Sequence, residues 1–266
     1  MPIKVAAVQF APTLKDPSGN LSKLTELVAL AAKNGAQLVV LPELCTSGYS
    51  FMDEEEAMPF AEVLTDFVPP QSADEGIAEL RAAPNSMLVM WALSKRYNIA
   101  IAWGVLEKDA ATGKLYNTQV LRAPGGGIWE FYRKVNLWGN DFLWASEGRA
   151  NPPVLKIDFD GVTKKVGLLI CRDVRDKKDD TWKSFYQKGD ADLVAFSANW
   201  GDGGFPSVTW MEFAKDNDTT LIVSNRYKKE ENNDFGEGGV CVIEPSGKVH
   251  CKGLVWNQNC IVYAEV

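Results

Sequence analysis

Histidine is almost absent from this sequence: among 266 residues there is one, His250. That excludes a metal site built on several imidazoles and leaves a single candidate for a histidine-dependent triad. His250 sits in a late hairpin with no carboxylate motif around it, so it is expected at an edge strand or rim. Cysteine is sparse and scattered. Cys45, Cys171, Cys241, Cys251 and Cys260 are odd in number and far apart, and no two form a CxxC pair, which excludes a disulfide framework or a zinc ribbon. Long apolar runs are missing too; a membrane helix needs about 18 residues, and the richest stretches, such as 87–93, are much shorter. Basic residues are outnumbered, 28 against 35 acidic ones, for a net charge of −7. Phosphate recognition needs a basic patch, so neither nucleic acid nor a membrane surface is expected as a partner. The N-terminus has no long apolar stretch of the signal-peptide kind, which points to a cytoplasmic protein.

What is present is the composition of a folded α/β chain with enough length for a full core. Residues 3–10 read as a buried strand. Residues 20–34 carry Leu21, Leu24, Leu27, Val28 and Ala31 at helical spacing, with Gly35 as the stop. A second strand, 37–41, ends in Pro42-Glu43. This βαβ unit predicts a parallel sheet. Residues 52–86 read as a surface excursion, helical over 74–83. A helix over 86–97 and a strand over 99–106 follow, then a hairpin of 116–123 and 128–132 about Pro124-Gly-Gly-Gly127. Strands at 154–159 and 165–170 flank Asp160-Gly161. A helix over 179–188, a strand at 193–197, a helix over 209–216, a strand at 220–224 and a meander from 240 to 266 complete the chain. No repeat or linker divides it, so a single domain over 1–266 is expected.

In α/β sheets, side chains just beyond the C-terminal ends of strands converge on the ligand crevice. Glu43, Lys134 and Cys171 each hold such a position. Cys171 is the sharpest, because the apolar Val-Gly-Leu-Leu-Ile run turns at once into polar sequence. Such an elbow exposes a nucleophile and aims backbone N–H groups at a developing oxyanion. A nearby lysine and a helix N-terminus are expected to lower the thiol pKa.

The sequence resembles the nitrilase superfamily, the carbon–nitrogen hydrolases, over nearly its whole length. The resemblance rests on Ala7-Val-Gln-Phe10, Leu41-Pro-Glu-Leu44 followed by Gly48-Tyr49, and Leu115-Tyr-Asn-Thr118. It continues through Tyr132-Arg-Lys-Val-Asn-Leu137, Gly167-Leu-Leu-Ile-Cys-Arg-Asp173, Ala198-Asn-Trp200 and Ser224-Asn-Arg226, in the family's order. It implies an αββα sandwich with a Glu–Lys–Cys triad of Glu43, Lys134 and Cys171, acting through a cysteine thioester on a small linear amide, ω-amide or N-carbamoyl compound. A nitrilase, or a catalytically silent binding protein on the same fold, is the alternative. No metal or organic cofactor is implied.

By the same resemblance Asp141 occupies the place of a second family glutamate, and Asn136 stands where the family tends to have histidine. Arg172 replaces the usual aromatic after the cysteine. Arg172 and Arg175 are candidates for gripping a substrate carboxylate, with Asp173, Asp176, Asp179 and Asp180 as their competing surface partners. Tyr49, Asn199 and Trp200 belong to the matching motifs, and Trp138, Trp144 and Trp200 are candidates for the walls of a small pocket. Dimerisation, as a homodimer or a higher homo-oligomer, is the expected assembly. The last strand is expected to end the chain, with little or no C-terminal arm.

Overall fold

A computed structural model of the chain describes residues 2–70, 85–175, 186–201, 204–253 and 258–266. Two six-stranded sheets lie face to face. In the first, β1 (Lys4–Gln9), β2 (Leu38–Val40) and β3 (Ala100–Lys108) run parallel. β4 (Leu115–Arg122) and β5 (Trp129–Arg133) continue it antiparallel. The second sheet starts with the hairpin of β6 (Val154–Phe159) and β7 (Val162–Ile170). β8 (Leu193–Ala198) and β9 (Thr220–Asn225) then add parallel to β7. A two-residue ladder of β10 (Lys229–Glu230) and β11 (Asn233–Asp234) stands apart, and β12 (Val240–Ile243) and β13 (Val249–Gly253) close the second sheet.

Period-two alternation sorts the side chains into layers. Val5, Ala7, Leu38 and Val40 face the second sheet and pack with Val166, Leu168, Ala195 and Ile222. Ala6, Val8, Val39 and Leu41 face outward, where they meet the apolar stripe Leu21, Leu24, Val28 and Ala31 of α1 (Pro17–Lys33) and α2 (Ser86–Tyr97). On the far side, α3 (Val208–Asp216) lays Trp210 and Ala214 on the second sheet, with the Trp210 ring 5.9 Å from Phe196. The layers therefore run α, β, β, α. Each fully buried Leu, Val or Phe contributes about 1.5–3 kcal/mol relative to exposure, so the inter-sheet layer dominates the stability of the fold.

Local signals set the helix ends. Asp16 caps α1 by accepting from the Gly19 N–H at 3.0 Å, with Pro17 in the first turn, and Gly35 takes φ +84° just past the end, as its position predicts. Asn85 caps α2 by accepting from Leu88 N–H at 3.1 Å. The predicted helix over 74–83 lies outside the described residues, as does most of that over 179–188; residues 186–188 are not helical. No helix among the described residues is long and apolar enough to cross a membrane.

The tail departs from the expected meander. β12 and β13 form the hairpin about Pro245-Ser-Gly247, but β14 (Cys260–Glu265) crosses to the first sheet and pairs antiparallel with β1, from Lys4 opposite Glu265 to Gln9 opposite Cys260. The edge of β1 would otherwise leave a row of unpaired backbone groups. β14 satisfies it, and its own alternation fits, with Val262 and Ala264 toward the second sheet and Ile261 and Tyr263 toward the helices.

Candidate active site

Two parallel strand triplets, β1–β3 and β7–β9, open their C-terminal ends onto one crevice, and the three strand-end residues meet there. Glu43 follows β2 in the turn Pro42–Leu44, which crosses β3 at Gly104. A Cβ there would lie 2.3 Å from Leu44 N and 2.7 Å from Glu43 Cα, so only glycine lets the base-bearing turn sit this close. Lys134 follows β5 directly, and its carbonyl accepts from Gly148 N–H at 2.8 Å. Cys171 follows β7 at φ +42° and opens a single 3₁₀ turn, Cys171–Val174. A non-glycine residue in the left-handed region is strained, and such strain recurs where a side chain must be aimed.

Lys134 is 1% exposed and clamped between two carboxylates that are fully buried. Its Nζ lies 2.7 Å from Glu43 Oε1 and 2.6 Å from Asp141 Oδ2. The two carboxylates hold its pKa well above the usual lysine value against the opposing effect of burial, so the ammonium is a fixed cation. Asp141 thus stands at the lysine despite its shorter side chain. Its position is set by a one-turn helix, Asp141–Trp144, and by Trp138 N–H donating to Oδ2 at 3.0 Å. Asn117 joins the two acids, its side chain donating to Glu43 Oε1 at 2.7 Å and Asp141 Oδ1 at 3.0 Å, while its backbone carbonyl accepts from the Lys134 backbone N–H. Glu43 Oε2 is buried without a hydrogen-bond partner among the described residues. It is the oxygen available to take a proton.

The thiol departs from expectation. Burial, and then the Glu43 carboxylate, push the Cys171 pKa up; the lowering effects of Lys134 and of the Asn199 backbone N–H are smaller. The helix expected behind it, over 179–188, lies mostly outside the described residues; within them a 3₁₀ turn gives way to extended backbone at Arg175. Cys171 is therefore a resting thiol that needs a base, and the base candidate is adjacent.

Cys171 opens into a cavity of about 90 Å³ lined also by Trp138, Arg172, Arg175, Asn199 and Trp200. The two guanidiniums stack on the aromatic walls: Arg172 lies 4.3 Å from the Trp138 ring and Arg175 4.5 Å from that of Trp200. Asn199 touches two of the three catalytic candidates, Cys171 and Glu43. Its N–H faces the thiol, and its amide, in the orientation that satisfies its neighbours, donates to the Ala198 and Glu43 carbonyls at 3.3 Å. Tyr49 is a buttress rather than a wall. Its hydroxyl donates to the Trp138 carbonyl, and its backbone N–H donates to Glu230 at 2.8 Å, which also pairs with Arg226.

Two expectations are corrected. Trp144 is buried against Phe51 in a separate cluster and does not wall the cavity. Asp173 is no surface partner for the arginines; it is 4% exposed, accepts from Tyr132 O–H at 2.9 Å and from Asn136 N–H at 2.8 Å, and is pushed up to about 7 by burial. Asp176, Asp179 and Asp180 lie outside the described residues. His250 is exposed on the edge strand β13 beside Glu244, as expected. Asn117 had no role in the sequence reading, although it lies inside the Leu115–Thr118 motif; a polar residue at the inward face of a strand was the available signal.

These features define a crevice that holds a buried acid–lysine–thiol set on an αββα sandwich. The sequence pattern of the carbon–nitrogen hydrolases matches residues 4–266, and the chain belongs to that family. A nitrilase from Pyrococcus abyssi is 33% identical over 64% of this chain and 56% of its own length, so the chain spans little more than half of that relative. The omega-amidase NIT3 of Saccharomyces cerevisiae is 24% identical over 99% of this chain and 87% of its own. A double mutant of the amidase from Nesterenkonia sp. AN1, solved in complex with acrylamide, superposes with a TM-score of 0.75 at 21% identity, covering 100% of this chain and 90% of that one.

Proposed function

We propose that the chain is an amidase-type hydrolase that cleaves the carbon–nitrogen bond of a small linear amide, ω-amide or N-carbamoyl compound. The observation that carries this reading is the buried thiol of Cys171, at the mouth of a small cavity, beside a lysine clamped by Glu43 and Asp141.

In the first half-reaction Cys171 Sγ bonds to the carbonyl carbon as its proton passes to Glu43, whose Oε2 has no hydrogen-bond partner among the described residues. The charge that develops on the carbonyl oxygen is held by the Lys134 ammonium and the Arg172 backbone N–H. The C–N bond then breaks, the proton on Glu43 leaves with the amine, and an acyl thioester remains. Water, deprotonated by Glu43, attacks the thioester; the C–S bond breaks and the thiol recovers its proton. Asp141 acts through Lys134 by holding the ammonium in place. A thiol whose pKa is raised suits this sequence, since the base is needed only when substrate excludes water.

Parallel assays of ammonia release from an amide panel and a nitrile panel test the reading, together with mass spectrometry of the chain after brief exposure to the amides. Amide turnover with an acyl group on Cys171 supports it; release from nitriles alone replaces it with a nitrilase. Homodimeric assembly and residence in the cytoplasm belong to the same proposal, and light scattering of the purified protein tests the first.

A further inference from the structure

Cys171 is flanked, two residues on either side, by groups that the opposite sheet grips. On the near side, Leu169 N–H donates to Gln119 Oε1 at 2.9 Å. On the far side, Asp173 accepts from Tyr132 O–H at 2.9 Å. Gln119 and Tyr132 are directly opposed in the β4–β5 ladder, and both are buried. Gln119 also donates to the Ala195 carbonyl at 3.0 Å and to Ser197 Oγ at 2.8 Å, and Ser197 Oγ donates to the Leu41 carbonyl at 2.7 Å. Leu41 lies two residues before Glu43. One hydrogen-bonded chain therefore joins the strand that ends in the thiol to the strand that ends in the acid.

Apart from this chain and Ser224 Oγ, which donates to the Val8 carbonyl at 2.6 Å near the other edge, the sheets meet here through apolar side chains such as Val40, Ala102, Leu121, Leu168 and Ala195. Hydrophobic packing is non-directional, so it fixes the spacing of the sheets far better than their lateral register. Hydrogen bonds are directional and short-ranged. The reacting thiol and its base come from different sheets, so lateral register is what their separation depends on.

We propose that Gln119 and Tyr132 are positioning residues that clamp the nucleophile elbow from the opposite sheet and set the placement of Cys171 relative to Glu43 and Lys134. The proposal rests on the amidase reading only for its turnover readout. Asn117, two residues before Gln119 on the same face of β4, holds the acids, so β4 serves both sides of the reaction: Asn117 the base and lysine, Gln119 the nucleophile strand.

The test measures two things in the full chain, for wild type, Gln119→Leu, Gln119→Glu and Tyr132→Phe. The first is the rate at which iodoacetamide alkylates Cys171, read by peptide mass spectrometry; it needs no knowledge of the substrate. The second is kcat and KM on whichever amide the wild type turns over. A misplacement of about 1 Å costs about 100-fold in rate. Gln119→Leu is expected to lower kcat about 10- to 100-fold with KM within about twofold, and to slow alkylation in parallel. Tyr132→Phe is expected to do the same to a smaller degree, since Asn136 still holds Asp173.

Gln119→Glu separates positioning from mere folding. Burial raises a carboxyl pKa. The protonated acid accepts from Leu169 and donates one hydrogen bond, whereas the carboxylate repels the Ala195 carbonyl. Its alkylation rate relative to wild type is expected to climb toward one as pH falls and to drop as pH rises. Should Gln119→Leu fail to fold, this pH signature and Tyr132→Phe decide alone. Alkylation within twofold of wild type in all folded variants overturns the clamp, as does a rise in KM at unchanged kcat. A wild type that releases no ammonia from any amide overturns the amidase reading instead, and the alkylation comparison still decides the clamp.

Discussion

Replacing Lys134 with methionine keeps most of the side-chain volume and removes the cation between Glu43 and Asp141, which lie 2.7 and 2.6 Å from Nζ with all three groups buried. At an effective dielectric constant of about 20, each of these pairs attracts by about 6 kcal/mol before desolvation is subtracted. Desolvation cancels much of that, but removing one partner of a buried pair leaves the other charge uncompensated, which typically costs about 3–5 kcal/mol. Here two carboxylates remain, both accepting from Asn117 Nδ2 and facing each other without a counter-charge. For a chain of this size the loss corresponds to a fall in Tm of about 6–20 °C. Loss of one oxyanion donor lowers kcat by about 100- to 1,000-fold. The two effects separate in the triple variant Lys134→Met, Glu43→Gln, Asp141→Asn. It removes the stranded charges and is expected to regain most of the lost Tm while regaining no activity. Thermal melts at neutral pH and ammonia release are the assays. A single variant that melts within 2 °C of wild type, or a triple variant no more stable than the single, would refute the account of a lysine clamped by two acidic side chains.

Cys171→Ala is expected to abolish turnover with the melt preserved, since the side chain it shortens is small and lies at the cavity; more than a few per cent residual activity would remove the thioester route. Arg175→Ala, which unstacks a guanidinium from Trp200, is expected to lower kcat/KM for an acidic substrate about 10- to 150-fold relative to its neutral isostere, the value of a charge-assisted hydrogen bond. An unchanged ratio returns Arg175 to a wall residue. Asp173 ionises near pH 4 in the unfolded chain and at about 7 in the fold. Between those values the folded state retains a proton that the unfolded state has lost, so stability falls as pH rises from about 4 to 7 and levels off above. Glu62, which accepts from Ser86 N–H and O–H and is also pushed up to about 7 by burial, adds the same slope. Asp173→Asn is expected to flatten only its own share, read as Tm against pH for variant and wild type; parallel curves would contradict the assignment.

Much of the architecture is written locally. The alternation of Val5 and Ala7 with Ala6 and Val8, the helical spacing of Leu21, Leu24, Val28 and Ala31, and Gly35 after them are statements about neighbours in sequence, and backbone periodicity alone converts them into strand, helix and stop. The strand-end placement of Glu43, Lys134 and Cys171 is legible for the same reason, because each lies at the end of a run that reads as a strand. What packs against what is not local. β14 leaves its hairpin neighbours for β1 because an open strand edge more than 250 residues earlier needs partners, and nothing within 260–265 records that edge. The clamp of Gln119 and Tyr132 on the flanks of Cys171 exists only once two sheets are stacked in one register. The thiol shows the difference most sharply. Its position at an elbow follows from sequence, but its pKa follows from how completely water is excluded and from which charge stands nearer in effect, and there burial and Glu43 outweigh Lys134. Sequence determined which groups arrive at the crevice; desolvation and the stacking of the sheets, both properties of the whole fold, decided the state in which they wait there.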